Sequence, residues 1–245
     1  MPKKKAFITG IGGQDGSYLA EHLLDNDYEV FGIVRRNSIS ENQWSRLDQL
    51  NSKIEVTYGD LLDVSSLDKT LKIIKPDEIY NIGSQSHVRI SFDIPQYTVQ
   101  TNAMGVLNIL EAYKYNCPKA KFYQASSSEM FGGGISKKLN EESHFHPRSP
   151  YAISKVFGHH ITVNYRESYG IFACSGILFN HESPLRGIEF VTRKITSTFA
   201  EIHAGRKKVL ELGNIYAKRD WGYAGDFVEG IWKMIQNDKP KDYLL

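Results

Sequence analysis

Ala6-Phe7-Ile8-Thr9-Gly10-Ile11-Gly12-Gly13-Gln14-Asp15-Gly16 is the first apolar run of the chain and the sharp turn that ends it. Residues 6–9 read as a buried strand and 17–24 as the helix that follows. The glycines between them allow positive φ and let the backbone approach a pyrophosphate closely. The helix start adds free N–H groups and the positive end of a dipole, so the segment forms an anion cradle. A G-x-G-x-x-G pattern would close at position 15, where the chain has Asp15. The match is instead Thr-Gly-x-x-Gly-x-x-Gly, through Thr9, Gly10, Gly13 and Gly16. The same pattern without a ligand would be a tight strand-helix turn; its place directly after the first strand favours a nucleotide.

Working outward, short β-branched runs alternate with longer amphipathic segments. Strands are expected at 29–34, 53–58, 78–82, 121–125 and 172–178, and helices at 67–74, 98–115 and 152–169. This alternation predicts an α/β fold, a Rossmann-type doubly wound parallel sheet with ligands at the C-terminal edge of its strands. Residues 1–178 are expected to form the dinucleotide-binding domain. Residues 179–245 read as a smaller, incomplete substrate-binding region. It has a loop at 182–191, helices at 190–203 and 226–236, a short strand at 209–213, and a strand beginning at 242–245.

The 245 residues are 41% hydrophobic and 24% charged, enough for a sizeable core. A formal net charge of +2 with no basic stripe disfavours nucleic acid as a partner. No stretch approaches the roughly 20 apolar residues that span a bilayer, which disfavours a membrane. The distant pair Cys117 and Cys174 suggests a reducing compartment, and a cytoplasmic location is expected. His144, His146, His159 and His160 lack the spacing of a metal site, so no metal is expected.

The second strand ends in Arg35-Arg36, where an NAD site would place an acidic residue. Two guanidinium groups suit a 2′-phosphate, so NADP is the expected cofactor. Asp60 and Leu61, after the third strand, are placed to meet the adenine edge. The fifth strand runs into Ala125-Ser126-Ser127-Ser128-Glu129, and Tyr151 and Lys155 follow on a helix, four apart and so on one face. The Lys155 ammonium is expected to lower the Tyr151 pKa, which would let the phenolate take a proton from a sugar hydroxyl.

In this order, the motifs resemble the extended short-chain dehydrogenase/reductase superfamily. Several segments are similar to those of its GDP-mannose 4,6-dehydratase family: Gly13-Gln14-Asp15-Gly16-Ser17-Tyr18-Leu19, Gln85-Ser86-His87-Val88, Leu178-Phe179-Asn180-His181-Glu182-Ser183-Pro184, Val191-Thr192-Arg193-Lys194-Ile195 and Lys218-Arg219-Asp220-Trp221-Gly222. The resemblance covers essentially the whole chain. It implies that Ser127 takes the place of a catalytic threonine, Glu129 that of the acid-base carboxylate, Tyr151 that of the base and Lys155 that of a cofactor-binding lysine. It implies NADP contacts from Gly10, Gly13, Gln14, Asp15 and Gly16, from Arg35, Arg36, Asp60 and Leu61, and from Ile82, Ser84, His181 and Arg186, with Tyr97 near the nicotinamide half. Ser86, Asn180, Lys194 and Arg219 would approach the sugar nucleotide.

The implied reaction is a redox-neutral cycle: oxidation at C4, loss of water across C5–C6, and hydride return to C6. A sibling epimerase or ketosugar reductase, or a non-catalytic NADP-binding chain, are the competing readings. Glu129 argues against the first two, and the intact Ser127, Tyr151 and Lys155 set against the last. The resemblance also implies a homo-oligomer, dimer or tetramer, with 35–38 near a subunit contact, and a family chain that continues beyond Leu245. The chain departs from the family at Ser127 (threonine), Gly83-Ser84 (two alanines), Leu185 (arginine), and Tyr216 and Tyr223 (commonly Asp and His). The last two leave the identity of the sugar, a GDP-hexose or a GDP-heptose, more open than the reaction type.

Overall fold

A computed structural model describes residues 2–36, 45–50, 52–133 and 138–245. The opening run is strand β1 (Lys5–Thr9), and helix α1 (Gln14–Asp25) starts directly after Gly13, its N-cap. The chain continues through β2 (Glu29–Val34), β3 (Ile54–Tyr58), α2 (Val64–Ile74) and β4 (Glu78–Asn81). Short helices α3 (Ile90–Asp93) and α4 (Pro95–Val99) precede α5 (Gly105–Asn116), β5 (Lys121–Ser127) and α6 (Pro150–Tyr169). Then come β6 (Ala173–Leu178), β7 (Asn180–Glu182), α7 (Val191–His203), β8 (Trp221–Tyr223), α8 (Ala224–Gln236) and β9 (Tyr243–Leu244).

Seven strands form one sheet in the order β3-β2-β1-β4-β5-β6-β9. Every neighbouring pair is parallel. Alternate side chains feed two cores, one on each face, which is why the strands read as nearly continuous apolar runs. Ala6, Ile8, Tyr80 and Tyr123 pack with Leu19 and Leu23 of α1 and Ile231 and Ile235 of α8. Phe7, Ile79 and Phe122 pack with Leu67 and Leu71 of α2, Ile109 and Leu110 of α5, and Tyr165 of α6. This is the doubly wound sheet that strand-helix alternation predicted.

Two carboxylates, Glu78 buried and Asp242 half-buried, tie the C-terminal elements to this sheet. Glu78, at the start of β4, accepts hydrogen bonds from Lys4 Nζ (3.0 Å), the Tyr28 hydroxyl (3.1 Å), the Tyr80 hydroxyl (2.7 Å) and Gln236 Nε2 (3.2 Å) at the end of α8. Asp242 accepts from both terminal nitrogens of Arg166, at 2.9 and 2.8 Å, and from the Ser175 backbone N–H at 3.0 Å. Charges bonded on several sides in this way fix one arrangement of the groups they join. Thus α8 and β9, which follow residue 179, pack on and extend the main sheet.

Two details differ from the sequence expectation. The single helix expected over 98–115 is interrupted by a π-helical turn at Gln100–Met104. Asn102 in that turn is buried and bonds both backbone groups of Gln85: it accepts from Gln85 N at 2.8 Å and donates to Gln85 O at 2.9 Å. A π turn of this kind re-aims one side chain without ending the helix. Residues 209–213 form no strand; Val209 is 67% exposed and Leu212 39%, and a lone apolar run without a pairing neighbour gains little from extension. A small parallel pair, β7 with β8, occurs instead. Cys117 and Cys174 are both buried and unpaired, and burial pushes each thiol up to about 12.

Candidate active site

The strand order reverses between β1 and β4, and a cleft of about 580 Å3 opens there at the C-terminal ends of the strands. Gly10 sits at φ +72°, and a Cβ on it would lie 2.7 Å from the Cα of Gly83. A Cβ on Gly16 would lie 2.3 Å from the Gly10 carbonyl oxygen. Both positions require glycine, because backbone meets backbone there. Gly13 N–H closes the turn on the Gly10 carbonyl at 2.9 Å, and no side chain caps α1, so its first-turn N–H groups are left for an anion.

Beneath the cleft runs a chain of buried side-chain bonds. The Thr9 hydroxyl donates to Asn81 Oδ1 (2.6 Å), Asn81 Nδ2 to Gln124 Oε1 (2.8 Å), and Gln124 Nε2 to the Ala125 carbonyl (3.0 Å). Lys155 Nζ donates to the same carbonyl at 3.0 Å. The start of α6 is set by Ser149, whose hydroxyl accepts from Ala152 N–H at 3.1 Å, and by Pro150 in the first turn. That cap places Tyr151 in the first turn of α6, where it lines the cleft together with Ser127. The Ser127 hydroxyl also accepts from Glu129 N–H at 3.2 Å.

The electrostatics correct one expectation. Lys155 Nζ stands 5.7 Å from the Tyr151 ring centroid, yet the phenol is not acidified. Burial raises Tyr151 to about 12, against the lowering effects of Ser127 and Arg186. Burial likewise lowers Lys155 to about 8. Four-residue spacing brings the two side chains together, but desolvation acts on each more strongly than they act on one another.

Asp15 Oδ2 lies 2.9 Å from His181 Nε2, and His181 Nδ1 lies 2.7 Å from the Phe179 carbonyl. Gln14 Nε2 donates to the His181 carbonyl at 3.2 Å, and the Ser183 hydroxyl donates to Gln14 Oε1 at 2.9 Å. The first turn of α1 therefore clasps the segment around β7. Arg186 Nε is 3.3 Å from Glu182 Oε1, and its guanidinium carbon is 3.8 Å from the Phe190 ring centroid. Glu182 also accepts from the Thr192 hydroxyl.

Most of the expected site residues line this one cleft. Gly10, Gly13, Gln14, Asp15 and Gly16 form one end, with Arg35, Asp60 and Leu61 beside them. Ile82, Ser84 and Ser86 border its middle, and Ser127, Glu129, Tyr151 and Lys155 stand together at the β5–α6 side. Asn180, His181 and Arg186 line it from the segment around β7. Arg36, Tyr97, Lys194 and Arg219 are outside this lining; Lys194 and Arg219 are exposed. The Tyr97 ring centroid lies 5.6 Å from the Arg35 guanidinium, a cation–π contact. Tyr216 is 85% exposed and outside the lining, while Tyr223 ends β8 against Tyr18. Sequence reading missed Arg46, Glu182, Glu189, Phe190 and Trp221, all in the lining. Glu182 and Trp221 stand inside quoted motifs but were given no role there; the other three had no local signal.

Residues 7–245 match the GDP-mannose 4,6 dehydratase family model, which is nearly the whole chain. The chain belongs to the GDP-mannose 4,6 dehydratase family. GDP-mannose 4,6 dehydratase 1 of Arabidopsis thaliana is 52% identical to it over 256 residues, covering 100% of this chain and 70% of that one. GDP-mannose 4,6-dehydratase of Vibrio cholerae serotype O1 is 51% identical over 254 residues, covering 100% and 68%. Among solved structures, UDP-glucuronic acid 4-epimerase from Bacillus cereus, in complex with UDP-glucuronic acid and NAD, superposes with a TM-score of 0.85 at 26% identity, over 98% of this chain and 76% of that one. The glycine cradle and the bare helix start fit the nicotinamide dinucleotide that this family uses. No helix among the described residues is long and apolar enough to cross a membrane.

Proposed function

We propose that the chain binds NADP and dehydrates GDP-mannose to GDP-4-keto-6-deoxymannose. The observation that carries this reading is the meeting of Ser127, Glu129, Tyr151 and Lys155 with the glycine turn in one cleft. Bound in the cradle, the nicotinamide supplies reversible hydride transfer, leaving C4 and later arriving at C6. Tyr151 accepts the 4-hydroxyl proton, while Ser127, in the same part of the cleft, holds the same hydroxyl in line. The ketone at C4 acidifies C5–H. Glu129 takes that proton and passes it to the 6-hydroxyl, which departs as water; as hydride reaches C6, the proton taken up earlier by Tyr151 is returned at C5. Arg186 favours the Tyr151 phenolate, against the burial that holds the phenol near 12.

NADP rather than NAD is supported by Arg35 at the end of β2, with Arg36 next to it and no acidic residue there. Ser86 and Asn180 in the lining suit the sugar, and Trp221 offers a flat apolar surface beside them. Lys194 on α7 and Arg219 just before β8 stand on elements that border the cleft, and their charges suit the diphosphate. The working division is dinucleotide binding by 1–178 and sugar-nucleotide binding by 179–245, with α8 and β9 completing the main sheet. Two unpaired cysteines suit a cytoplasmic setting.

A homo-oligomer, dimer or tetramer, is supported by exposed apolar side chains near one another on adjoining elements: Val99 of α4, Met104 of the π turn, and Ile153 and Phe157 of α6, each 39–55% exposed. Of the segment 35–38, residues 37 and 38 lie outside the described residues. Light scattering on the parent and on Phe157→Glu checks this surface: a multimer that dissociates in the variant supports it, and a monomeric parent contradicts it.

Mass spectrometry after incubation with GDP-mannose and NADP tests the reaction. The parent should yield a product lighter by one water, without net reduced cofactor, and Glu129→Gln should yield none. Stoichiometric NADPH consumption, or unchanged water loss in Glu129→Gln, would overturn it.

A further inference from the structure

We propose that His159 is a positioning residue for the reaction: through Ser126 it sets where Ser127 stands against Tyr151. This rests on the dehydratase reading of the cleft. Strand β5 pairs with β4 only as far as Gln124, whereas its pairing with β6 runs on to Ser127. Residues 125–127, which carry Ser127 into the cleft, therefore lack a ladder on the β4 side. A strand end bonded on one side shifts more easily than one bonded on both.

Side chains of α6 take the place of that ladder. Tyr151, Lys155 and His159 are spaced by four, fall on one stripe of the helix and are all buried. Lys155 Nζ donates to the Ala125 carbonyl at 3.0 Å, and His159 Nδ1 lies 3.1 Å from the Ser126 hydroxyl. Successive residues of the strand end are thus tied to successive turns of the helix that carries Tyr151. Ser126 is buried like His159, so no bulk water competes for their bond. The imidazole is itself held in place, because the Phe145 ring meets it edge-on with centroids 5.2 Å apart. Lys155 lines the cleft, whereas His159 does not. His159 therefore acts on the reacting groups only through the strand end it holds.

Steady-state kinetics with GDP-mannose and NADP, beside melting temperatures, test this on the 245-residue chain, His159→Phe, His159→Asn, Ser126→Ala and the double variant His159→Phe with Ser126→Ala. Phenylalanine and alanine should each lower kcat about tenfold, against roughly a hundredfold for a misplacement of about 1 Å. KM for GDP-mannose and Kd for NADP should stay within about twofold of the parent's, because no binding contact is removed. The double variant should be no slower than the slower single one, since both changes delete the same bond. Asparagine puts an amide where Nδ1 stands and can donate or accept there, so it should recover most of kcat. Ser126→Ala removes one oxygen only and reads the same bond if His159→Phe does not fold. Variants that melt lower yet keep the parent's kcat would make the bond purely structural and overturn the proposal. So would losses confined to KM, multiplicative losses in the double variant, or an asparagine variant as slow as phenylalanine. A parent that forms no dehydrated product would instead overturn the dehydratase reading on which this rests.

Discussion

Asp15 Oδ2 and His181 Nε2 lie 2.9 Å apart, joining the first turn of α1 to β7 across a separation of 166 residues. Burial works against both charges, but the mutual hydrogen bond and attraction prevail: Asp15 is held below its ordinary value of 3.8 and His181 above 6.5. Asp15 thus adds stability above pH 3.8 that is lost as pH falls through its depressed pKa. His181 adds stability below pH 6.5 that is lost as pH rises through its raised pKa. The contribution is complete between those values. Asp15→Asn should cost about 2 kcal/mol at pH 5, and the gap from the parent should narrow as pH rises beyond the His181 titration. Urea melts at several pH values check this; a pH-independent gap contradicts it.

Lys155 is a buried cation held at about 8 by desolvation. Its folded pKa is depressed, so the parent should gain stability as pH rises from about 8 toward 10.5, where the unfolded chain binds more protons. Lys155→Met should remove that slope and raise stability at neutral pH by up to about 3 kcal/mol, while catalysis falls. Thermal melts beside activity assays read both effects. A lower melting temperature in the variant would mean that the bond to Ala125 outweighs the buried charge.

His159 lies on α6, with Nδ1 3.1 Å from the Ser126 hydroxyl. Burial lowers it to about 4; Asp242 opposes this, and His160 and Arg166 assist. A depressed histidine favours the fold when neutral. That stability should be present above pH 6.5 and be lost progressively down to about pH 4, up to about 3 kcal/mol in total. His159→Gln keeps a polar side chain in place and should flatten the acid limb of the melting curve. An acid limb identical to the parent's would assign the sensitivity elsewhere.

The parts of this site that were legible in the sequence are local ones. The glycine turn, Arg35-Arg36 and the Tyr151–Lys155 spacing each depend on a few adjacent residues whose backbone geometry follows from their type. The strand-helix alternation then carried them to one sheet edge. What escaped depends on distant partners. Arg46 meets Gly12 and Leu185, and Asp15 meets His181, only after β6 returns beside β5. The sign of the Tyr151 shift escaped for a related reason, because burial is a property of the packed state and spacing says nothing of its size. The strand expected at 209–213 failed because propensity without a pairing partner does not make a sheet.

The central claim is that one cleft carries hydride from C4 to C6 within a single bound sugar. GDP-mannose labelled with deuterium at C4, incubated with the chain and unlabelled NADP, tests it most directly. The account predicts a product lacking one water and retaining the label at C6. A product without the label, or a labelled sugar recovered intact, would contradict it.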